Sequence, residues 1–360
     1  MDINLQETRT ISHKRGFSFW AIFLIVVLIA TIIGAIAIGS TYIEPGVVYK
    51  VLINKLSNQN IFDSTWNMMF DNIIWEIRIP RVLLGGICGA GLALCGVLMQ
   101  CVTKNPIAEP YILGISSGAS CGAVAIIVFG GMSSLGITSI TGGAFIGSIV
   151  SGILVFAIGT QMGRTTSTTR LVLSGMAISI IFSALTNLLI YFAKNSNQAK
   201  NALFWTIGSL GGAKWDVLLI PFIALVIVII VSFIMSKSLD IIILGDDSAV
   251  ILGINVKLVK SVILILSTLL TSTLVAITGA IGFIGLVVPH VCRTIAGSDH
   301  KKLIILSSLV GSIFLILSDI VARVILPPIE IPIGIITSLV GGPFFLYLIS
   351  KKNYSFGGND

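Results

Sequence analysis

Long apolar stretches alternate with short polar ones along nearly the whole chain. A helix needs about 20 apolar residues to cross the hydrocarbon core of a bilayer. Windows of that length predict about ten spans, at 18–40, 79–102, 107–130, 140–163, 168–193, 215–236, 257–277, 279–297, 303–324 and 332–350. The runs do not alternate residue by residue, which argues against a β-barrel. The run from Phe17 to Ile38 follows Arg9, Lys14 and Arg15 and imitates a secretion signal. It exceeds the roughly 7–15 residues of a signal core, so it reads as a retained first span.

The polar intervals differ in length. Segments 41–76 and 194–214 are expected outside, the first long enough for short surface helices, the second with Trp205 as an interfacial anchor. The inner stretch "SKSLDIIILGDDSAVILGINVKLVK" (236–260) is amphipathic and punctuated by Gly245 and Gly253. Asp246 and Asp247 precede an apolar run, as suits a helix N-terminus. Two short helices with a turn, across 237–256, are expected on the cytoplasmic face. Within the spans, Gly85/Gly89, Gly118/Gly122 and Gly143/Gly147 are GxxxG pairs, the spacing that lets helices approach closely in lipid.

Charge sets the orientation. With the N-terminus inside, fourteen of the 22 Lys and Arg fall in inner segments and eight in outer ones. That bias puts both termini in the cytoplasm, as tails 1–17 and 351–360, with an even number of spans. It also leaves Arg78, Arg81 and Arg323 as outer charges beside span ends. Only 10% of residues are charged and 55% are hydrophobic, against about 25% charged in soluble domains. Such a chain cannot cover a water-facing surface. It reads as one all-α, polytopic transmembrane domain over 1–360. The net charge of +7 belongs to the loops and does not signal nucleic acid. Five cysteines, an odd number, lie in or beside spans and read as packing residues. His13, His290 and His300 make no metal-ligand spacing.

Catalytic motifs are missing. There is no G-x-x-x-x-G-K-[ST] phosphate loop, H-E-x-x-H, G-x-S-x-G or C-x-x-C, so no catalytic residue, metal or directly bound cofactor is assigned. The candidate intramembrane acids are Glu109, Asp319 and Glu330. Asp319 and Arg323 are four apart on one helix face and could pair. No acid is clearly central, which weighs against an ion-coupled secondary carrier working alone. That carrier is the alternative reading.

The motifs carry more than the composition. The block "RIPRVLLGGICGAGLALCGVLMQCVTKNPIAEPYILGISSGA" (78–119) resembles the permease subunits of bacterial ABC importers for iron-siderophores, heme and cobalamin, the FecCD family. Those carry R-x-P-R, a Gly/Ala-rich helix ending in Gln, then N-P-x-A-x-P and L-G-x-S-x-G-A. The blocks "GAIGFIGLVVPHVCR" (279–293) and "PIEIPIGIITSLVGGPFFLYLI" (328–349) follow in the family's order, and "GDDSAVILGI" resembles its coupling segment.

The resemblance implies a ten-span subunit of the type II importer fold in a bacterial cytoplasmic membrane. A second permease copy or close relative would complete a dimer, with the path on its axis. Two ATPase subunits would bind inside and use the ATP, and a substrate-binding protein would dock outside. Arg78, Arg81 and Arg323 are then expected to pair with glutamates of the binding protein. Asp246, Asp247, Ala249, Leu252 and Gly253 are expected to touch the ATPase. The stretch "RTTSTTR" (164–170), with Thr165, Thr166, Ser167, Thr168 and Thr169, is expected at the cytoplasmic gate, though it also reads as a polar turn with a helix cap. Iron-siderophore is the favoured cargo, with heme and cobalamin open.

Overall fold

The computed structural model describes residues 3–59, 61–63, 66–130, 136–160 and 168–351. Among them are fifteen α-helices. The long apolar ones are α1 (Ile3–Ala37), α4 (Ile79–Thr103), α6 (Gly136–Thr160), α7 (Thr168–Tyr191), α9 (Trp215–Ile234), α12 (Val256–Thr278) and α14 (His300–Val324). Among the described residues, seven helices are long and apolar enough to cross a membrane. Three shorter apolar ones are α5 (Ile115–Phe129), α13 (Ile284–Ala296) and α15 (Ile333–Lys351). The intervening segments supply α2 (Pro45–Ser57), α3 (Met68–Asn72), α8 (Ser196–Ile207), α10 (Ser236–Leu244) and α11 (Asp246–Ile251).

Two expected spans are shorter than their hydropathy. In 107–130 the helix starts only at Ile115, and in 279–297 only at Ile284. Hydropathy counts apolar side chains, but Pro and Gly decide where a helix begins. The chain between Lys104 and Gly114 runs through Pro106 and Pro110, and Gly114 has φ +75°. The second break runs from Gly279 (φ +71°) to Phe283 (φ +71°). Pro289 lies inside α13 and does not end it.

Helix α4 is the centre of the bundle. In the apolar window of Met68–Thr103, 83% is buried, against 17% in α1. Its Gly, Ala and Cys side chains are small on every face, so neighbours approach from all sides. Cys88, Cys95 and Cys101 are buried in this packing. Gly89 meets Gly311 of α14, and Gly96 meets Gly285 of α13; a Cβ at Gly89 or Gly96 would strike the facing carbonyl. The GxxxG pairs of α5 and α6 face each other, Gly118 on Gly147 and Gly122 on Gly143. Helix α8 closes the C-terminal end of α5, where the Gln198 amide donates to the Ile127 and Val128 carbonyls at 2.7 and 3.0 Å. Trp205 on α8 is half-buried against the apolar clusters of α5 and α12 and is not a free interfacial anchor.

Gly89→Ala and Gly311→Ala should each lower the unfolding temperature of the purified protein, at a cost of about 1–3 kcal/mol for overpacking. Gly34→Ala, whose Cβ would meet only open space, should leave it unchanged or raise it slightly.

Candidate functional site

Three sites stand out: a buried charge network at one end of the bundle, a pair of cavities, and a clamped helix pair at the opposite end.

The chain enters the first through an unusual turn. Residues Ile73–Arg78 form a π-helix that runs directly into α4, and Pro80 occupies its first turn, where the missing N–H costs nothing. This entry aims Arg78 and Arg81 inward. Arg78, Arg81 and Arg323 are only 4%, 7% and 3% exposed. Arg78 donates from Nη1 to the Ile36 and Ala37 carbonyls, each at 2.8 Å, and from Nη2 to the Thr41 carbonyl. Arg323 Nη2 donates to the Ala35 carbonyl at 3.1 Å. The last carbonyls of α1 lack intrahelical partners, and two guanidinium groups supply them. Arg81 makes a bidentate contact with Asp319, at 2.9 Å from both Nε and Nη2, and its Nη1 lies 2.7 Å from Glu330. Asp319 is shared with Arg323 Nε at 3.0 Å, as the four-residue spacing on α14 expects. Three cations and two carboxylates thus stitch α1, α4 and α14 to the turn before α15. The sequence reading expects these arginines at an outer rim, pairing with a binding protein, and allows Arg323 to pair with Asp319; in the structure each finds hydrogen-bond acceptors inside the chain, Arg323 on Asp319 among them.

Two adjoining cavities share Tyr111, Thr206 and Ala280. The smaller, about 230 Å³, is walled by hydroxyls and an amide, including Ser116, Ser120, Ser183, Thr186 and Asn187. The larger, about 470 Å³, lies between Glu109, Phe283 and the α15 face with Gly334, Ile335, Ser338 and Leu339. Both helix breaks therefore open onto this space, the position where discontinuous helices form transport sites in other carriers. Glu109 is buried, and its carboxylate accepts from the Phe283 backbone N–H at the start of α13. Among the described residues lining the two cavities, Glu109 is the one Asp, Glu, Lys or Arg.

At the opposite end, α10 and α11 are the two short helices expected from the sequence, with Gly245 between them. Asp246 sits between Lys104 at 2.8 Å and Lys260 at 2.6 Å. Partial burial disfavours its charge, but the two lysines outweigh that and hold its carboxyl below the ordinary carboxylate range. Asp240 on α10 accepts from the His300 backbone N–H at 2.9 Å and contacts His300 Nδ1 at 2.6 Å, so it caps the start of α14. The Cys101 thiol reaches the Leu239 carbonyl at 3.5 Å. Clamped this way, the pair exposes a row of apolar side chains: Leu244 74%, Val250 61%, Ile251 84% and Leu252 63%.

Of the expected contact residues, Asp247, Leu252 and Gly253 are exposed, and Asp246 is engaged by its lysines. Ala249 is fully buried and offers no contact surface, because it is the side chain that seats α11 on the bundle. Leu244, Val250 and Ile251 were missed, although their excess of apolarity in a polar inner segment was a usable signal. Asp240, Lys104, Lys260 and His300 were also missed; nothing local marks them, since their partners lie on other helices. Of the gate stretch, Thr165, Thr166 and Ser167 lie outside the described residues, and Thr168 and Thr169 begin α7.

Asp319→Ala strands two buried guanidinium groups and should cost about 3–5 kcal/mol in unfolding free energy. Asp299→Ala, which removes the N-cap of α14 and a part-exposed ion pair with Lys302 at 3.3 Å, should cost about 1 kcal/mol. For Asp246 the carboxylate is the bonded form, so its clamp is complete above the ordinary carboxylate pKa and lost as pH falls through its depressed value. Proteolysis within 244–254 should therefore stay constant from neutral pH downward and rise only below about pH 4.

The FecCD transport family matches the chain over residues 24–351. The chain is 36% identical over 339 residues to the hemin transport system permease protein HmuU of Yersinia pestis, covering 93% of this chain and 96% of that protein. It is 37% identical over 282 residues to the cobalamin import system permease protein BtuC of Halobacterium salinarum, covering 78% and 74%. It is 36% identical over 279 residues to the Fe(3+) dicitrate transport system permease protein FecD of Escherichia coli K12, covering 78% and 85%. A solved metal-chelate type ABC transporter in an inward-facing conformation superimposes with a TM-score of 0.78 at 29% identity, covering 92% of this chain and 99% of that one. Taken with the all-helical bundle and its apolar spans, these matches make the chain a multi-pass membrane permease of the FecCD transport family.

Proposed function

We propose that the chain is the membrane subunit of an ATP-driven importer for a bulky metal chelate, with iron-siderophore the favoured cargo. Heme and cobalamin are close alternatives, as the relatives' names suggest. The carrying observation is the exposed apolar row Leu244, Val250, Ile251 and Leu252 on a helix pair clamped by ion pairs. Exposed apolar side chains on a rigid, otherwise polar surface mark a protein contact. In an importer of this family that contact is the ATPase, which burns the ATP this chain has no phosphate loop to bind.

The cargo path is proposed to include the two cavities. Serine, threonine and asparagine side chains offer weak hydrogen bonds without fixing a charge, which suits a large chelate that must enter and leave. A second permease copy is proposed to face this side of the bundle, where α7 and α15 expose Leu173, Ile180, Leu339 and Leu346. The 164–170 stretch, at the mouth of α7, is proposed as the inner gate.

The outer docking role of Arg78, Arg81 and Arg323 is kept as a proposal in revised form. A binding-protein carboxylate would reach Arg81 by displacing Glu330, the partner with the more exposed side chain (37%). Glu330→Gln should then tighten docking a few-fold at low ionic strength, because it frees the guanidinium and removes a like charge; unchanged affinity in a binding titration counts against docking there. For the importer reading, vesicles holding the chain with its cognate ATPase and binding protein should take up chelate only with ATP. Uptake driven by an ion gradient without ATP would replace it with the secondary-carrier reading. Ile251→Asp with Leu252→Asp should abolish co-purification of the ATPase while leaving the permease folded.

A further inference from the structure

Helices α4 and α14 run antiparallel through the bundle and are joined at three levels. At the arginine end, Arg81 on α4 grips Asp319 on α14 at 2.9 Å through two nitrogens. At mid-height, Gly89 packs on Gly311 backbone to backbone, and Ser312 Oγ donates to the Gly86 carbonyl at 2.8 Å. At the other end both helices are tied to α10–α11. Helix α4 ends in Lys104 on Asp246, with the Cys101 thiol on the Leu239 carbonyl. Helix α14 begins at His300, held twice by Asp240.

A pair of helices that can slide needs a contact tolerant of register change. This pair has the reverse. Ion pairs fix both ends, and the glycine contact admits no other register without a Cβ or carbonyl collision. We propose that α4 and α14 form a rigid strut that carries displacement of the α10–α11 pair to the buried arginine network as one body. Asp240 and His300 are its positioning residues, the joint where movement of α10 enters α14. His300 is fully buried and the Asp240 side chain is 38% exposed, so the joint lies at the edge of the packed bundle, where α10 meets the start of α14. In this arrangement the α5–α8 helices, of which α5 and α6 pack through Gly118/Gly147 and Gly122/Gly143, are the elements left free to move against the strut.

The inference rests on the importer reading, and its test separates the two. In vesicles with ATPase and binding protein, two rates are read: basal ATP hydrolysis, and its stimulation by loaded binding protein together with uptake. His300→Ala should keep assembly and basal hydrolysis while lowering stimulation and uptake at least about fivefold, the size of a typical coupling energy. His300→Asn, whose amide nitrogen stands where Nδ1 stood and still donates to Asp240, should restore most of both. A His300→Ala importer with wild-type stimulation overturns the strut, and so does a His300→Asn importer as defective as Ala. If His300→Ala does not assemble, Asp240→Ala, which removes the acceptor of both His300 contacts, is judged by the same criterion. A wild-type assembly without ATP-driven uptake overturns the importer reading instead.

Discussion

One carboxylate, Asp319, lies between two buried guanidinium groups and determines how the bundle is held together at that end. Removed from water, Arg81 and Arg323 are tolerable only because Asp319 and Glu330 lie within 3 Å of them. Arg78 completes the arrangement by supplying donors to the final carbonyls of α1. Buried inside the protein, such partners have no solvent to replace them. The network therefore locks α1 and α14 onto α4, and the close glycine packing below it follows from that alignment.

The opposite end uses the same chemistry to another purpose. There the carboxylates Asp246 and Asp240 are part-exposed while Lys260 and His300 are buried, and together they fix a short helix pair on the ends of α4, α12 and α14. What they hold in place is an apolar surface facing away from the protein. The pair is thus ion-paired at its base and apolar at its exposed face, the features on which its proposed contact with the ATPase rests. Between the two ends, the cavity wall is hydroxyl-rich and nearly uncharged. For the proposed cargo path that lining offers weak, distributed contacts in place of one strong site.

The all-helical apolar character, the two short helices of 236–251 and the start of α11 at Asp246 were legible in local pattern. So were the close glycine contacts, although not which helices they join. Hydropathy overran at 107–130 and 279–297 because it does not register that Pro106, Pro110 and the Gly279–Phe283 turn hold the backbone out of helix. Ala249 reads as an outward contact in a polar segment, yet it is the residue that seats α11.

The amino-acid order alone determined what must leave water, where the chain could not stay helical, and which family motifs it carries. These depend on neighbours within a few turns. Only the tertiary structure decided where the charges point. Arg81 and Asp319 are 238 positions apart, and no local signal says that α4 and α14 are adjacent. An arginine at a helix start looks the same in sequence whether it faces solvent or a buried carboxylate. Its direction is set by the acceptors that packing brings within reach, because a guanidinium withdrawn from water has to find all of them inside the protein.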